Sequence, residues 1–318
     1  MKLKTLLSTA IVAGAFAVSG SALADNFPSK PLSMVIGWGA GGSTDIQGRV
    51  LANVLSEELG QPVNVINRPG AGGSVALQQL VNDRNEGYTF VFGTSMSVTF
   101  SPLATPTNFD VDSFTYVAGV TLGQSAIVTG PNTPFSSWEE FIEYAKANPG
   151  VSYATQLPFD RLLVDYIAKQ EGLDVRVVPT SGGAGMAPLI LSGDVDFAYS
   201  GGTHSGYADT GEMPVLVSLA DERLVAFPDA PTLREAGYAI DPGDIRVVMV
   251  PKNTPQERVD RLAEALKAAT QDPRFIEITE ERILMPVVYM DGEEVHEDLR
   301  NKVELYKSMI EELGGLSS

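Results

Sequence analysis

The sequence predicts an α/β protein of two lobes, each built around a doubly wound, mainly parallel sheet. Short apolar runs alternate with amphipathic stretches in the order β-α-β-α-β, which is typical of parallel strands with helices on both faces. The same alternation starts again in the second half of the chain. A chain of 318 residues is also near the upper size limit for one hydrophobic core, which favours two lobes.

The first half of the chain supplies three predicted strands and two helices. The helix after the first strand has Ile46, Val50 and Val54 on one face. A long β-rich segment, 116–129, then offers a path from one lobe to the other. In chain order the first elements are strand 32–36, helix 44–59, strand 63–66, helix 74–81 and strand 89–92.

The second half repeats this pattern. Ser137 followed by Glu140 is a capping-box signature that opens a helix ending at Ala147. A second β-rich segment, 245–250, returns the chain, and an acidic-basic helix over 293–313 is expected to lie on the sheet with its charges solvated. Between them the predicted order is strand 151–154, helix 161–170, strand 175–178, helix 185–191, strand 195–199 and strand 215–219.

Charge and composition exclude several classes of protein. The formal net charge is −18, which argues against nucleic-acid binding because phosphates require a basic patch. The chain has no Cys, so it has no disulfide, thiolate metal site or Cys nucleophile. Only His204 and His296 are present, which are too few for a His-rich metal site. No cofactor or metal is expected.

Residues 1–24 have the pattern of a secretory signal peptide. Lys2 and Lys4 form a positive start, the apolar run 6–18 is short for a bilayer span, and Ala22-Leu23-Ala24 is a small-x-small cleavage site. No later stretch approaches 18 uninterrupted apolar residues. We therefore expect export to the periplasm, with cleavage after Ala24.

Two glycine-rich loops follow the first two predicted strands. The first, GWGAGGSTD at 37–45, has the G-x-G-x-x-G spacing of a dinucleotide site, but the export signal argues against a soluble nicotinamide cofactor. The second is NRPGAGG at 67–73. Glycines let backbone amides point at one site, and each loop leads into a helix whose first N–H groups are unpaired. Together the loops predict a pocket that holds a small anion without a side-chain cation.

Asp45 lies in the first turn of the helix that follows the first loop, and two roles for it stay open. A carboxylate at this position stabilises the helix through capping and the helix dipole. The same carboxylate would also be able to orient a hydroxyl group or a water molecule beside the ligand.

Several motifs together resemble the Bug family, the extracytoplasmic solute receptors of tripartite tricarboxylate transporters. Each motif is short, but they occur in family order and cover most of the mature chain. They are FPSKP at 27–31, GGSTD at 41–45, NRPGAGG at 67–73, GYT at 87–89, VP at 178–179, GDVD at 193–196 and PDAPTLREAGY at 228–238.

The resemblance implies a two-lobed Venus-flytrap binding protein, with lobes joined by crossover strands and a carboxylate in the cleft between them. Lobe 1 would contain residues 25–125 and 246–318, and lobe 2 residues 126–245. In this family the two glycine-rich loops hold one carboxylate, and the loop after the third strand also reaches the cleft. The lobe 1 residues that match are Gly41, Gly42, Ser43, Thr44, Asp45, Gly70, Ala71, Gly72, Thr94 and Ser95.

The chain departs from the family pattern where the rest of the ligand would lie. Trp38 and Ala40 stand where aliphatic or Pro residues are usual. Trp38 is expected either to wall the pocket against an apolar or aromatic ligand or to pack at the end of the strand. Two lobe 2 loops also differ, so the ligand of a relative cannot be transferred. The lobe 2 positions concerned are Thr155, Gln156, Thr180, Ser181 and Gly182.

Three further lobe 2 residues are candidates, two of them with alternative roles. Arg161 would bind a second carboxylate through its guanidinium or would pair at the surface with Asp160 or Asp165. Ser200 and His204 follow a lobe 2 strand and are expected to border the cleft. His204 would donate to a ligand oxygen or would serve in capping or packing.

The sequence therefore predicts a solute-binding protein, monomeric by analogy, that captures a small organic carboxylate and delivers it to a membrane permease. It predicts no enzyme, because G-x-S-x-G and H-E-x-x-H motifs are both absent. A secreted hydrolase that uses acidic or Ser residues is the alternative from another class. A sensory receptor without a transport role would use the same closure, so the sequence leaves that possibility open.

Overall fold

The computed structural model describes residues 26–180, 183–240 and 242–316. The predicted signal peptide, Ser181 and Gly182 lie outside the described residues. Within the described ranges the chain forms two sheets, one in each of two lobes. No helix in those ranges is long and apolar enough to cross a bilayer.

The first lobe contains a six-stranded sheet. Its strands are β1 (Leu32–Ile36), β2 (Val63–Asn67), β3 (Thr89–Thr94), β4 (Phe114–Leu122), β10 (Ile245–Pro251) and β11 (Val287–Asp291). Their order is β11-β4-β10-β3-β1-β2. β1 pairs in parallel with β2 and β3, whereas β10 and β11 pair antiparallel with their neighbours.

Helices cover both faces of this sheet because successive strand residues point to opposite sides. Met34 and Ile36 pack with one group of helices, and Val35 packs with the other. The helices are α1 (Ser43–Leu59), α2 (Ser74–Leu80), α3 (Met96–Thr99), α4 (Ser101–Ala104), α8 (Gln256–Ala269), α9 (Pro273–Ile276) and α10 (Gly292–Leu313). A 3₁₀ turn at Ala71–Gly73 precedes α2, and a π-helical segment at Glu277–Arg282 follows α9.

The second lobe contains a five-stranded sheet. Its strands are β5 (Ala126–Thr129), β6 (Val151–Thr155), β7 (Val175–Pro179), β8 (Phe197–Ser200) and β9 (Val215–Ser218), in the order β7-β6-β8-β5-β9. β6 pairs in parallel with β7 and β8, and β5 pairs antiparallel with β8 and β9. The helices are α5 (Trp138–Ala147), α6 (Pro158–Glu171) and α7 (Gly183–Ser192), with a 3₁₀ turn at Thr203–Tyr207.

The chain crosses between the lobes twice, and the two crossings lie side by side. The first crossing connects β4 with β5, and the second connects β9 with β10. The N–H of Gly123 on the first donates to the carbonyl of Asp244 on the second at 2.6 Å. A Cβ atom on Gly123 would lie 2.8 Å from that oxygen, so the close approach requires glycine.

Helix α10 contacts both lobes. Val295 and Leu299, in its first half, pack against the first sheet. Tyr306 and Met309, in its second half, belong to the same apolar cluster as α6 of the second lobe. β10 begins at Ile245, and the sequence predicts the return to lobe 1 at residue 246. The lobe boundaries themselves stay a prediction.

The α/β class, the two lobes and the crossover strands are as predicted. Each sheet is mixed, however, with a parallel half and an antiparallel half. The antiparallel halves contain the strands on either side of each crossing, which are β4 and β5 for the first crossing and β9 and β10 for the second. Each of these strands runs antiparallel to a neighbour in its sheet. Apolar runs reveal that a strand exists, but they do not give its direction.

Candidate functional site

The carboxylate of Asp45 connects the first glycine-rich loop with Asn67, the last residue of β2. Asp45 is buried in the first turn of α1 and accepts hydrogen bonds from the Gly41 amide (2.8 Å), Arg49 Nε (2.9 Å) and Asn67 Nδ2 (2.8 Å). Burial opposes its ionisation, but the bonds from Arg49, Gly41 and Asn67 outweigh burial and hold its pKa below the ordinary value. The Asn67 bond joins the two loops, whereas the Gly41 and Arg49 bonds stay within the first loop and α1. Both alternatives for Asp45 stay predictions.

The second glycine-rich loop has a run of left-handed backbone. Ala71, Gly72 and Gly73 have φ values of 46°, 62° and 93°. The carbonyl of Gly72 accepts a hydrogen bond from Ser97 Oγ at 2.6 Å. A Cβ atom on Gly37 would lie 2.8 Å from the Cα of Gly73, so the two loops touch through their backbones. This contact places the two loops side by side at the carboxyl ends of β1 and β2.

A polar cavity of about 150 Å³ lies where the two lobes meet. Lobe 1 contributes the first turn of α1, the end of β3 and the start of β10, and lobe 2 contributes the β6–α6 loop and the end of β8. The residues that define it are Ser43, Thr44, Thr94, Gln156, Tyr199, Asp244 and Arg246.

Arg246 is the basic side chain in the wall of this cavity, and only 5% of the residue is exposed. Its guanidinium donates to Thr44 Oγ1 and, at 3.4 Å, to Ser43 Oγ. Its Nε is buried without a hydrogen-bond acceptor among the described residues. Burial lowers the pKa of Arg246, and the Asp244 carboxylate acts in the opposite direction. Arg246 thus places a buried cation close to the start of α1, and the expectation that the loops hold an anion without a side-chain cation stays a prediction.

Asp244 is held in place by the loop after β3. Its Oδ1 accepts from Ser95 Oγ at 2.7 Å and from the Met96 amide at 3.3 Å. Ser95 Oγ also accepts from the amide of Ile245 at 3.1 Å. Ser95 therefore clamps the returning strand, while Thr94 lies in the cavity wall.

A second cavity of about 300 Å³ adjoins the polar one and is mostly apolar. Trp38, Met96 and Leu157 line both cavities, so they form the shared wall. Ala71 and Gly72 of the second glycine-rich loop border the apolar cavity. The two glycine-rich loops thus meet different parts of the cleft, and Trp38 of the first loop borders both cavities. Trp38 also packs on the lobe 1 core, so both alternatives for this residue stay predictions.

The lobe 2 loop after β6 is held by a buried carboxylate. Asp160 accepts from the amides of Gln156 and Leu157 at 2.8 Å each, and from the hydroxyls of Thr155 and Tyr153. Burial raises the pKa of Asp160 to about 6, although these hydrogen bonds act in the opposite direction. The loop amides are therefore used within the protein. Gln156 lines the polar cavity, and its side-chain amide donates to the carbonyl of Tyr199.

Several predicted lobe 2 residues have partners inside the protein. Nε of Arg161 donates to both carboxylate oxygens of Asp165 at 2.7 Å, which is the surface-pair alternative. Thr180 donates to the carbonyl of Thr155 at 2.9 Å.

His204 is buried, lies 2.8 Å from Ser200 Oγ and packs on Phe227, with ring centroids 5.3 Å apart. Burial lowers the pKa of His204 to about 4, so the ring is neutral at pH 7. These contacts fit the packing role and leave Ser200 engaged with the His204 ring.

The remaining predicted residues line neither cavity. Ala40, Gly41 and Gly42 are exposed, and Gly70 is half-buried. Sequence analysis missed Arg246, Asp244 and the aromatic residues Phe100 and Phe159. A charged residue inside the apolar run 245–250 is the available signal for Arg246, because Arg is rarely buried unless it is paired.

Two α/β lobes, adjacent crossover strands and a cleft large enough for a small molecule define a bilobal solute-binding protein. The chain belongs to the family described as the Tripartite tricarboxylate transporter family receptor, whose sequence model matches residues 48–315.

Proteins of known sequence or structure agree with this assignment. A Cupriavidus necator protein named "UPF0065 protein in gbd 5'region" is 32% identical over 305 residues, which cover 95% of this chain and 93% of that protein. A TctC solute binding protein from Polaromonas has a TM-score of 0.78 at 25% identity, covering 90% of this chain and 99% of that one. R. palustris Rpa4515, solved with adipate, has a TM-score of 0.78 at 23% identity, covering 91% and 98%.

Proposed function

We propose that this protein is a periplasmic receptor that captures a small organic carboxylate between its lobes and delivers it to the membrane subunits of a tripartite tricarboxylate transporter. Family membership supports a receptor over an enzyme. The adipate bound to the R. palustris protein of similar fold is a carboxylate, which supports this ligand class. The receptor is proposed to act as a monomer.

The observation that carries the proposal is the buried guanidinium of Arg246 in the cavity wall. A buried cation is costly unless anions or strong acceptors compensate for the lost water. The described hydrogen-bond acceptors of Arg246 are the neutral hydroxyls of Ser43 and Thr44, its Nε has none, and the nearby Asp244 carboxylate offsets only part of the cost of burial. A ligand carboxylate would add charge-assisted hydrogen bonds at this position.

The start of α1 is proposed to share this carboxylate. The first N–H groups of a helix have no partner within the helix, and the positive end of the helix dipole favours an anion. Ser43 and Thr44 are the first two residues of α1 and line the same cavity as Arg246. Gly41 and Gly42 have no side chains and would contribute only the backbone of this turn.

Export is the second part of the proposal. Residues 1–24 would direct the chain to the periplasm and would be removed after Ala24. Mass spectrometry of the protein from a periplasmic extract should give a mature chain that begins at Asp25. A mature chain that keeps residues 1–24 would contradict this part.

The binding proposal is tested with chain 25–318 by thermal shift and isothermal titration calorimetry, using acetate, benzoate, succinate, adipate and citrate as probes. At least one carboxylate should raise the melting temperature in a concentration-dependent manner, because ligand that binds only the folded state stabilises it. Neutral amides of the same acids should have no effect. Stabilisation only by sugars or amines would overturn the proposal.

Arg246→Gln is the decisive variant. It keeps a long polar side chain but removes the charge, and we expect carboxylate affinity to fall at least about 100-fold, as for loss of a buried charged partner. Arg300→Gln, at a side chain that is 57% exposed on α10, is the matched control and should bind like the wild type. Unchanged affinity in Arg246→Gln would place the carboxylate elsewhere.

A further inference from the structure

The polar and apolar cavities of the cleft lie next to each other. Trp38, Met96 and Leu157 border both of them. A ligand that extends past these three side chains would have one end beside Arg246 and its body in the apolar cavity.

The apolar cavity has the size and walls for a hydrophobic group. An apolar protein cavity of about 150 Å³ accepts a benzene ring, and this one measures about 300 Å³. Phe100 of lobe 1 and Phe159 of lobe 2 both line it, and their rings contact each other edge to face, with centroids 5.5 Å apart and planes at 73°. Tyr306 packs behind both rings at 5.9 Å and 5.3 Å, which fixes them. The walls are thus rigid aromatic surfaces contributed by both lobes.

The described residues that line this space offer no cation to a second carboxylate. Among the described residues that line the two cavities, Arg246 is the single basic side chain. Arg161, the sequence candidate for a distal carboxylate, is paired with Asp165. A second carboxylate in the apolar cavity would lose its water without gaining a cation, which strongly disfavours binding.

We propose that the ligand is a monocarboxylate with a hydrophobic body, either one aromatic ring or a short alkyl chain, whose carboxylate lies beside Arg246 and whose body fills the apolar cavity that Phe100 and Phe159 line. This inference rests on the proposed carboxylate receptor function and adds the class of ligand. In this arrangement the ligand body would lie along the Trp38 side chain.

Two ligand series test the proposal by calorimetry on chain 25–318. In the series acetate, butyrate, hexanoate and octanoate, each added methylene that enters the cavity should lower Kd about fourfold (about 0.8 kcal/mol) until the cavity is full. Phenylacetate and 3-phenylpropionate should bind more tightly than succinate, adipate and citrate. Two results would overturn the proposal. One is a Kd that does not change with chain length in the alkyl series, and the other is tighter binding of dicarboxylates than of monocarboxylates of equal length.

Ala104→Phe tests the location of the hydrophobic body. Ala104 is the last residue of α4 and lines only the apolar cavity, so a Phe ring there occupies the space of the ligand body. This variant should bind hexanoate and 3-phenylpropionate at least about tenfold more weakly and acetate about as well as the wild type. Ala147→Phe, at the exposed last residue of α5, is the matched control.

The outcomes separate this inference from the receptor function. If succinate or adipate bind and the hydrophobic monocarboxylates do not, the ligand class is wrong and the carboxylate receptor stands. If hexanamide and 3-phenylpropionamide bind as tightly as the acids, the hydrophobic cavity stands and the carboxylate function is wrong. An Ala104→Phe variant that folds and binds hexanoate as tightly as Ala147→Phe would place the body outside this cavity.

Discussion

Arg246 donates a hydrogen bond to the hydroxyl of Thr44, although the two residues are 202 positions apart in the sequence. Arg246 lies on β10, the strand by which the chain returns from lobe 2, and Thr44 lies in the first turn of α1. The bond therefore attaches the crossover strand to the helix start at which we place the ligand carboxylate. Ligand binding and the connection between the lobes share one side chain.

Thr44→Val should destabilise the free protein by about 1–3 kcal/mol, because it removes an acceptor from the buried guanidinium while keeping the side-chain shape. Saturating carboxylate should reduce this loss, since the ligand supplies a new acceptor. Chemical denaturation with and without ligand measures the difference. An equal loss in both states would separate Thr44 from the carboxylate site.

Asp244→Asn should tighten the binding of a monocarboxylate about three- to tenfold. The change removes a negative charge from the polar cavity, while the amide oxygen still accepts from Ser95 Oγ. Calorimetry with hexanoate gives the affinity. Weaker binding would show that Asp244 contacts the ligand directly, as expected for a ligand with an ammonium group.

Acid should destabilise the fold through His204. Burial lowers the folded-state pKa of His204 to about 4 from its ordinary 6.5, so the unfolded chain binds more protons between these values. The stability that depends on the neutral ring is complete above pH 6.5 and falls by about 3 kcal/mol as the pH drops to 4. Asp160 opposes this trend, because burial raises its pKa to about 6 and its protonation then favours the folded state.

Comparison of variants isolates the His204 effect. The stability difference between the wild type and His204→Gln, measured by urea unfolding, should shift by about 3 kcal/mol in favour of the variant between pH 7 and pH 4. His296→Gln is the control and should keep the acid-induced loss. A constant difference across this range would mean that His204 is not the group responsible.

Arg161→Ala should leave the affinity for every carboxylate unchanged and should lower stability by no more than about 1 kcal/mol. The reason is that Arg161 is paired with Asp165 and its side chain is 31% exposed, where ion pairs contribute little. Calorimetry with adipate and hexanoate checks this. A selective loss of adipate binding would restore Arg161 as the partner of a second carboxylate.

Gly72→Leu should abolish binding of hydrophobic monocarboxylates with the fold retained, because the new side chain would enter the apolar cavity that Gly72 borders. Gly72 has φ 62°, so part of any stability loss comes from backbone strain. Gly60→Leu has nearly the same φ, 67°, with open space around its Cβ, and is the control for that strain. Unchanged hexanoate affinity in Gly72→Leu would place the ligand away from the second glycine-rich loop.

The sequence located most elements of the fold because their signals are local. β1 begins and ends at the predicted residues 32–36, and α10 covers the predicted helix within one residue. Helix α6 begins at Pro158, three residues before the predicted start, since a Pro fits the first turn of a helix. Periodicity and capping residues are sufficient for such assignments.

The sequence by itself also determined the two glycine-rich loops, the repeated α/β alternation and the crossover segments, because each depends on residues that are neighbours in the chain. Only the tertiary structure decided which side chains meet at the cleft. Arg246 reaches Thr44, and Asp45 reaches Asn67, through sheet pairings that no local pattern encodes. The reason is physical: burial and the choice of hydrogen-bond partner are properties of the packed chain, and they assigned Arg161 to Asp165 and Arg246 to the cavity.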